Sequence, residues 1–497
     1  MVKIGDISIQ NPWWKYGVDF DRYDPDFTKF TGPIFFDRVE IPLNTGNIYI
    51  IRGSRRVGKT LYLKHIIKKL INEGVDPRRV LYLSLDYFTS RRELRSAINY
   101  FVNTNRDARE LYIFLDEVTT IRDWELELKY LSDIGVIRKA VVVATGSSGV
   151  SLRRRVDLLP GRGVEGNEYY MKPLSFREFV QSTVDYIGSI VEEREFRDAL
   201  DIVKKIMLRE DVYVELDWDI QKIYDVANVL APYIHELEYL FNIYLVTGGF
   251  PQSINSFFNR FEERRIDPIL VEVFVRNVVG DISKLGKQEI YAKRILKEIL
   301  SRYGTRYSIR DLASAAELNH ITVNEYLEIL AESFILTILY SYDLDMGKIK
   351  YKGDKKIYLQ DPFIYYSISS YITGRDINEV IEDMIGDEAN LGRIIEGIVC
   401  THLASYMEKP LLKVIHTFLW FYYNRGREVD FIIKTDRGFT SIEVKYRRNV
   451  DYRDIHKHPK INKHIILSKE DIDLKEDTLI ITTPIFLLLL RKNRYIL

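Results

Sequence analysis

Apolar and polar positions along the chain follow two periods, and their order predicts most of the layout. Ile48-Tyr49-Ile50-Ile51, Val80-Leu81-Tyr82-Leu83, Leu111-Tyr112-Ile113-Phe114-Leu115 and Ala140-Val141-Val142-Val143-Ala144 are unbroken apolar runs of strand length. Such runs mark strands buried on both faces of a parallel sheet. Between them, apolar residues recur at helical spacing, first as Leu61, Leu63, Ile66, Ile67 and Leu70 and later through Leu94 and Ile98 to Phe101. Strand and helix alternate, so the expected fold class is α/β, a parallel sheet with helices on both faces. Before it, Asn11-Pro12-Trp13-Trp14 reads as a leading arm packed onto the core.

Beyond residue 290 the period is helical again. Ser308 caps a short helix, Leu318-Asn319-His320 turns, a second helix runs from Ile321 to Leu330, and Phe334 to Tyr340 alternates like a strand. This is a helix-turn-helix with a wing. The second helix carries Glu325 and Glu328 and no Lys or Arg, which favours an interdomain module over a reader of the DNA major groove. A third segment starts at Lys355. It has a helix around 392–403, a strand over about 413–421, Arg427-Glu428-Val429-Asp430-Phe431-Ile432-Ile433, a turn at Asp436-Arg437-Gly438, and Ser441-Ile442-Glu443-Val444-Lys445.

Chemistry enters where the first strand ends. Gly53-Ser54-Arg55-Arg56-Val57-Gly58-Lys59-Thr60 has the form G-x-x-x-x-G-K-T between a strand and a helix, the setting of a phosphate-binding P-loop. Gly53 and Gly58 let the backbone curl so that loop N–H groups point at phosphates. Lys59 is expected on the β- and γ-phosphates and the Thr60 hydroxyl on Mg²⁺. The third apolar run ends in Asp116-Glu117. Asp116 is expected to hold Mg²⁺ through water, with Glu117 polarising the attacking water. ATP and Mg²⁺ are the expected cofactors; GTP is disfavoured because no N-K-x-D element is present.

Composition narrows the remaining choices. The 497 residues suggest about three domains. Lys+Arg and Asp+Glu each total 72, so any nucleic-acid surface must be local. The single cysteine, Cys400, excludes a disulfide framework and fits a cytoplasmic location. The apolar run Ile485 to Leu490 is too short to span a membrane, so no membrane partner is expected.

Thr145-Gly146-Ser147-Ser148, Gly161-Arg162 and Pro173-Leu174-Ser175-Phe176-Arg177-Glu178-Phe179 resemble a large prokaryotic, especially archaeal, family of AAA-like ATPases related to the STAND class, in which a winged-helix segment follows the ATPase core. The resemblance covers residues 11 to about 260, interrupted by a charged, helical insertion at 185–235. It implies a γ-phosphate sensor at the strand tip, Ser147, and an arginine-finger candidate, Arg162. Gly248-Gly249-Phe250-Pro251 resembles the STAND G-x-P element, which implies Pro251 beside the nucleotide base.

The third segment resembles the PD-(D/E)xK nuclease fold. That likeness implies Asp430 and Glu443 as metal ligands, Lys445 beside the attacking water and Glu396 as an auxiliary acid. Glu443 and Lys445, two apart on a strand, share a face; a charged hairpin facing solvent is the competing reading. Seven Lys/Arg against three acids between Glu443 and His464 would suit phosphate tracking. The expected organisation is an ATPase domain over 1–260, a winged-helix-like domain over 261–345 and a nuclease-like domain over 346–497. The expected function is a Mg-dependent ATPase switch, with ATP/ADP as ligands and DNA or a regulatory protein as candidate partners. The alternative is a nucleotide-binding scaffold or protein-binding module with an inactive nuclease-like domain.

Overall fold

The apolar runs pair in parallel. In a computed structural model, which describes residues 4–38, 40–146, 166–209, 211–214, 218–407, 419–435 and 438–491, β1 (Ile48–Gly53), β2 (Val80–Ser84), β3 (Leu111–Asp116), β4 (Ala140–Gly146) and β5 (Glu168–Met171) form one sheet in the order β2-β3-β4-β1-β5. All four ladders are parallel. Because β4 lies between β1 and β3, its tip stands between the P-loop and the Asp116-Glu117 pair. The helix α1 (Lys59–Asn72) packs on one face, and α2 (Arg91–Thr104) and α3 (Glu125–Asp133) on the other.

The leading arm closes the β2 edge. Trp13 and Trp14 both donate their indole N–H to the Val80 carbonyl, at 3.0 and 2.8 Å. The Asn11 amide makes a reciprocal pair with the Tyr82 backbone, at 2.9 and 2.7 Å. Side chains thus satisfy an edge that would otherwise be open for strand addition.

From Leu174 onward a second, continuous core runs to Leu490. The helix α4 (Phe176–Ile190) runs into the charged insertion, which supplies α5 (Arg194–Met207) and α6 (Ile220–Leu230); the apolar stripes of all three join this core and not the one under the first sheet. Next come α7 (Ile234–Thr247), α8 (Pro251–Asn259), α9 (Ile269–Lys284) and α10 (Glu289–Ser301). The helix-turn-helix follows as α11 (Ile309–Ala315) and α12 (His320–Glu332), with β6 (Arg306–Tyr307) before it and β7 (Leu336–Tyr340) after. After a small hairpin, β8 (Tyr342–Asp343) and β9 (Lys348–Ile349), comes β10 (Lys355–Leu359), which sits antiparallel between β6 and β7.

The C-terminal part has α13 (Pro362–Thr373), α14 (Ile377–Gly386), α15 (Glu388–Met407) and a mixed sheet. Its strands are β11 (Leu419–Asn424), β12 (Arg427–Thr435), β13 (Gly438–Val444), β14 (Ile461–Ser468), β15 (Asp473–Lys475) and β16 (Thr478–Thr482), in the order β11-β12-β13-β14-β16-β15. The helix α16 (Thr483–Leu489) closes the chain's core. No helix among the described residues is long and apolar enough to cross a membrane.

The double glycine before Pro251 has a packing reason. Gly248 has φ +61°, and a Cβ on Gly249 would meet the Leu174 carbonyl oxygen at 2.1 Å and the Leu174 nitrogen at 2.7 Å. Leu174 N also donates to the Gly249 carbonyl at 2.8 Å, while Asp361 accepts from Gly249 N at 2.8 Å. Backbone meets backbone here, so a side chain has no flexible neighbour to displace. Gly249→Ala is expected to cost ~1–3 kcal/mol, read as a lower urea midpoint; an unchanged midpoint would mean that the 173–175 loop yields freely.

Candidate functional site

The two glycines of the P-loop serve different ends. Gly53 closes β1 against β5, where a Cβ would meet the Met171 carbonyl oxygen at 2.3 Å. Gly58 sits at φ +101° with nothing within 4 Å of its would-be Cβ, so its conformation alone demands glycine. Lys59 opens α1 with a side chain only 5% exposed. Its Nζ donates to the Gly53 and Ser54 carbonyls, both at 3.0 Å, with the Glu117 carboxylate at 3.8 Å. Burial lowers the ammonium's pKa, against the pull of Glu117 and Asp116.

Around Asp116 the hydroxyls converge. Thr60 Oγ1 donates to Oδ2 at 2.6 Å, Tyr82 OH to the same oxygen at 2.9 Å, and the Thr145 hydroxyl to Oδ1. Thr145 Oγ1 also accepts from Glu117 N at 3.1 Å, which ties the two acids to the tip of β4. Glu117 itself is left-handed, φ +53°, a conformation that non-glycine residues hold only where the surroundings impose it.

The residues fit a Mg²⁺–nucleotide. Thr60 and Asp116 would hold the ion, and the carbonyls that now satisfy Lys59 would yield its ammonium to phosphate. The Ser54 hydroxyl is buried without a partner among the described residues. When bound, the ion supplies the positive charge that offsets the triphosphate oxygens. The site opens into a cleft of about 1080 Å³ lined by Arg56, Thr60, Asp86, Glu117, Pro251 and Asn277, among others. Pro251 is thus on the cleft wall, at the first turn of α8. Val57 is buried behind the loop, where its carbonyl accepts from Arg38 at 3.2 Å. Ser147 and Arg162 lie outside the described residues.

Residues 45–180 match the family model of an AAA domain. The AAA domain thus spans the P-loop, Asp116-Glu117 and β4, and implies nucleotide binding at this cleft. Two further stretches, 238–374 and 391–486, match models described only as domains of unknown function (DUF8612 and DUF4143). An uncharacterised protein of Methanocaldococcus jannaschii is 23% identical over 410 residues, 80% of this chain and 74% of that one. One from Haemophilus influenzae is 21% identical over 332 residues, 64% and 68% of the two chains. Among solved structures, Cdc6p from Pyrobaculum aerophilum covers 67% of this chain and 90% of its own at 14% identity and a TM-score of 0.24. A Thermotoga maritima RuvB variant covers 59% and 81% at 16% identity and 0.23. Superpositions this loose add nothing to the fold described above.

In the C-terminal part, Glu396, Asp430 and Glu443 do come together, but around lysines. The β12–β13 register pairs Phe431 with Ile442 and so sets Asp430 beside Glu443. Lys356, on β10, is fully buried; its Nζ lies 2.9 Å from Glu396, 2.6 Å from Glu428 and 3.3 Å from Asp430. Tyr358, two residues on and facing the same way, donates its hydroxyl to Glu396. Asp430 Oδ2 accepts from Val444 N at 3.1 Å, and Lys445 pairs with Glu443 at 3.2 Å.

Burial and the neighbouring Asp430 push the Glu396 carboxyl up to about 7, and the same two causes raise Glu443. Burial also works against a charged Asp430, but Lys356 and Lys445 outweigh it and hold that carboxyl below the usual range. Among the described residues, no group of three or more His, Cys, Asp and Glu side chains is arranged to hold a metal ion. The Lys356 ammonium stands between Glu396 and Asp430, whereas Asp430 and Glu443 meet directly through a side-chain hydrogen bond, with Lys445 beside them.

The basic stretch meets local acids in surface pairs. Arg447, Arg448, Arg453 and Lys457 pair with Asp454, Glu470, Asp451 and Asp477, at 2.6, 2.7, 3.9 and 2.8 Å. Lys460 caps the Leu344 and Asp345 carbonyls, and Lys463 the Trp218 carbonyl. Four residues of consequence were missed in the sequence: Tyr82, Thr145, Asp281 and Lys356. For Lys356 a signal exists, a lysine directly before the apolar run Ile357-Tyr358-Leu359 and in phase with Tyr358. For the other three, only the fold brings them to their partners.

Proposed function

We propose that the chain is a Mg²⁺-dependent ATPase acting as a molecular switch, with Lys59, Thr60, Asp116 and Glu117 as its working residues. The observation that carries this reading is the Thr60–Asp116 contact beside Lys59, a ligand pair already assembled at a phosphate loop. In this reading Lys59 binds the terminal phosphates, and Glu117 takes the proton from the attacking water. The Thr145 hydroxyl keeps Asp116 and Glu117 aligned. Lys59→Ala is expected to weaken ATP binding by ~2–5 kcal/mol, the cost of stripping a buried charge partner, as read by titration calorimetry. Unaltered affinity would sink the assignment.

For residues 346–497 we propose a PD-(D/E)xK-like domain that serves as a scaffold or protein-docking module. The winged-helix-like segment, 261–345, joins it to the ATPase. The lysine-filled acidic cluster and the locally neutralised basic stretch favour this over cutting. ATPase rates should then be flat on adding DNA, and neither Mg²⁺ nor Mn²⁺ should support nicking of plasmid DNA. Metal-dependent nicking would restore the nuclease reading, and DNA-stimulated turnover would point to a nucleic-acid partner.

A further inference from the structure

One P-loop side chain reaches out of the AAA domain. The Arg55 guanidinium holds the Asp281 carboxylate in a two-pronged grip, Nε to Oδ2 at 2.8 Å, Nε to Oδ1 at 3.0 Å and Nη2 to Oδ1 at 2.7 Å. The partners are 226 residues apart and only 26% and 12% exposed. A planar, bidentate, half-buried pair is specific in a way that surface pairs are not.

Arg55 stands at a boundary. On one side it lines the nucleotide cleft with Lys59 and Glu117. On the other it lines a small cavity against α9 and α12, with Val278, Ile282 and Ile329. The acids facing it are Asp281, Glu117 and Asp86; the cations near it are Arg56 and Lys59, with Lys284 close to Asp86. On α9, Phe274 packs in a three-ring cluster with Phe250, one residue before Pro251 on the cleft wall, and Phe363 of α13, all with ring centroids at 5.5–5.6 Å. A displacement of α9 is therefore felt by the C-terminal core.

A guanidinium fork serves one bidentate anion at a time. We propose that Asp281 and the terminal phosphate of a nucleoside triphosphate compete for Arg55, so that triphosphate, but not diphosphate, unlatches α9 from the P-loop. Asp281 is then a positioning residue that sets the triphosphate preference of the site and links it to the C-terminal body. This rests on the nucleotide reading given above. By reciprocity, whatever holds α9 against the loop must weaken triphosphate binding by the same factor that triphosphate weakens the latch.

The test uses the full chain. Asp281→Asn keeps the shape and removes the charge. It should tighten ATP binding about tenfold, ~1.4 kcal/mol, and raise the ratio of ATP to ADP affinity by nearly as much. A mere loss of negative charge near the cleft would raise both affinities alike and overturn the proposal. Arg55→Gln should abolish the preference for ATP over ADP and leave a second change at Asp281 without effect. In the unmodified protein, Mg²⁺ with a non-hydrolysable ATP analogue should speed amide exchange across 269–284, and ADP should not. Equal exchange with both nucleotides would overturn it. If the unmodified protein binds neither nucleotide, the ATPase reading falls too, which separates the two failures.

Discussion

Glu117→Gln is expected to cut ATP turnover by about 10²–10⁴-fold, the usual share of a general base, while nucleotide binding survives. The reason is local. Gln keeps the shape and the left-handed backbone of Glu117, and the Glu117 N–H to Thr145 bond uses only main chain on that side. The ion-holding pair Thr60–Asp116 is untouched. What disappears is a carboxylate 3.8 Å from Lys59, and with it both the ability to take a proton and one negative charge. Removing a negative charge from the phosphate site also predicts ATP affinity equal to or above the parent's. Single-turnover phosphate release beside calorimetric binding reads both quantities, and undiminished release would reassign the base.

Lys356→Met is expected to be the most destabilising single change in the C-terminal half, by ~3–5 kcal/mol. Methionine conserves the length and the packing of the side chain, so the loss is the charge. Glu396, Glu428 and Asp430 would then lose the buried cation they share, leaving Arg306 to Glu428 and Lys445 to Asp430. Because Lys356 belongs to β10, the same change should loosen the β6-β10-β7 sheet from the mixed sheet. Urea unfolding followed by amide exchange should show early opening at 396–403 and 428–433. Exchange over 111–116 should stay as in the parent, since those strands belong to a separate core. A midpoint equal to the parent's would mean that the cluster is not held by Lys356.

How much of this was legible in the sequence differs between the two halves, for a physical reason. The AAA domain's strands are buried on both faces and read as unbroken apolar runs, and its loop chemistry is confined to eight consecutive residues. Both signals are local, so Gly53 to Thr60 and Asp116-Glu117 could be found without a fold. The C-terminal cluster is not local. Glu396, Asp430 and Glu443 were legible as acids at suggestive spacings, but Lys356 reaches them from another sheet, and that contact decides what the acids can hold. The basic stretch shows the same non-locality: its partners Asp454, Glu470 and Asp477 are interleaved or follow shortly after, and two of them lie past His464. The insertion at 185–235 was legible as helical but not as part of the C-terminal core, because an amphipathic stripe does not say which partner it covers.

The helix α16 has a consequence for synthesis. All seven of its residues are buried; its Leu488 carbonyl accepts from Arg177, 311 residues earlier, and Val214 N donates to the Leu489 carbonyl. On the ribosome the AAA sheet is complete once β5 has emerged, and it can fold while the rest is still being made. The helices α4 to α6 emerge next; α4 and α5 pack on each other and on α7, but the part of the apolar surface that residues 483–490 cover stays open until those arrive. The chain therefore spends most of its synthesis time as a finished ATPase domain tethered to an unfinished core, a nascent species that offers chaperones a defined apolar surface.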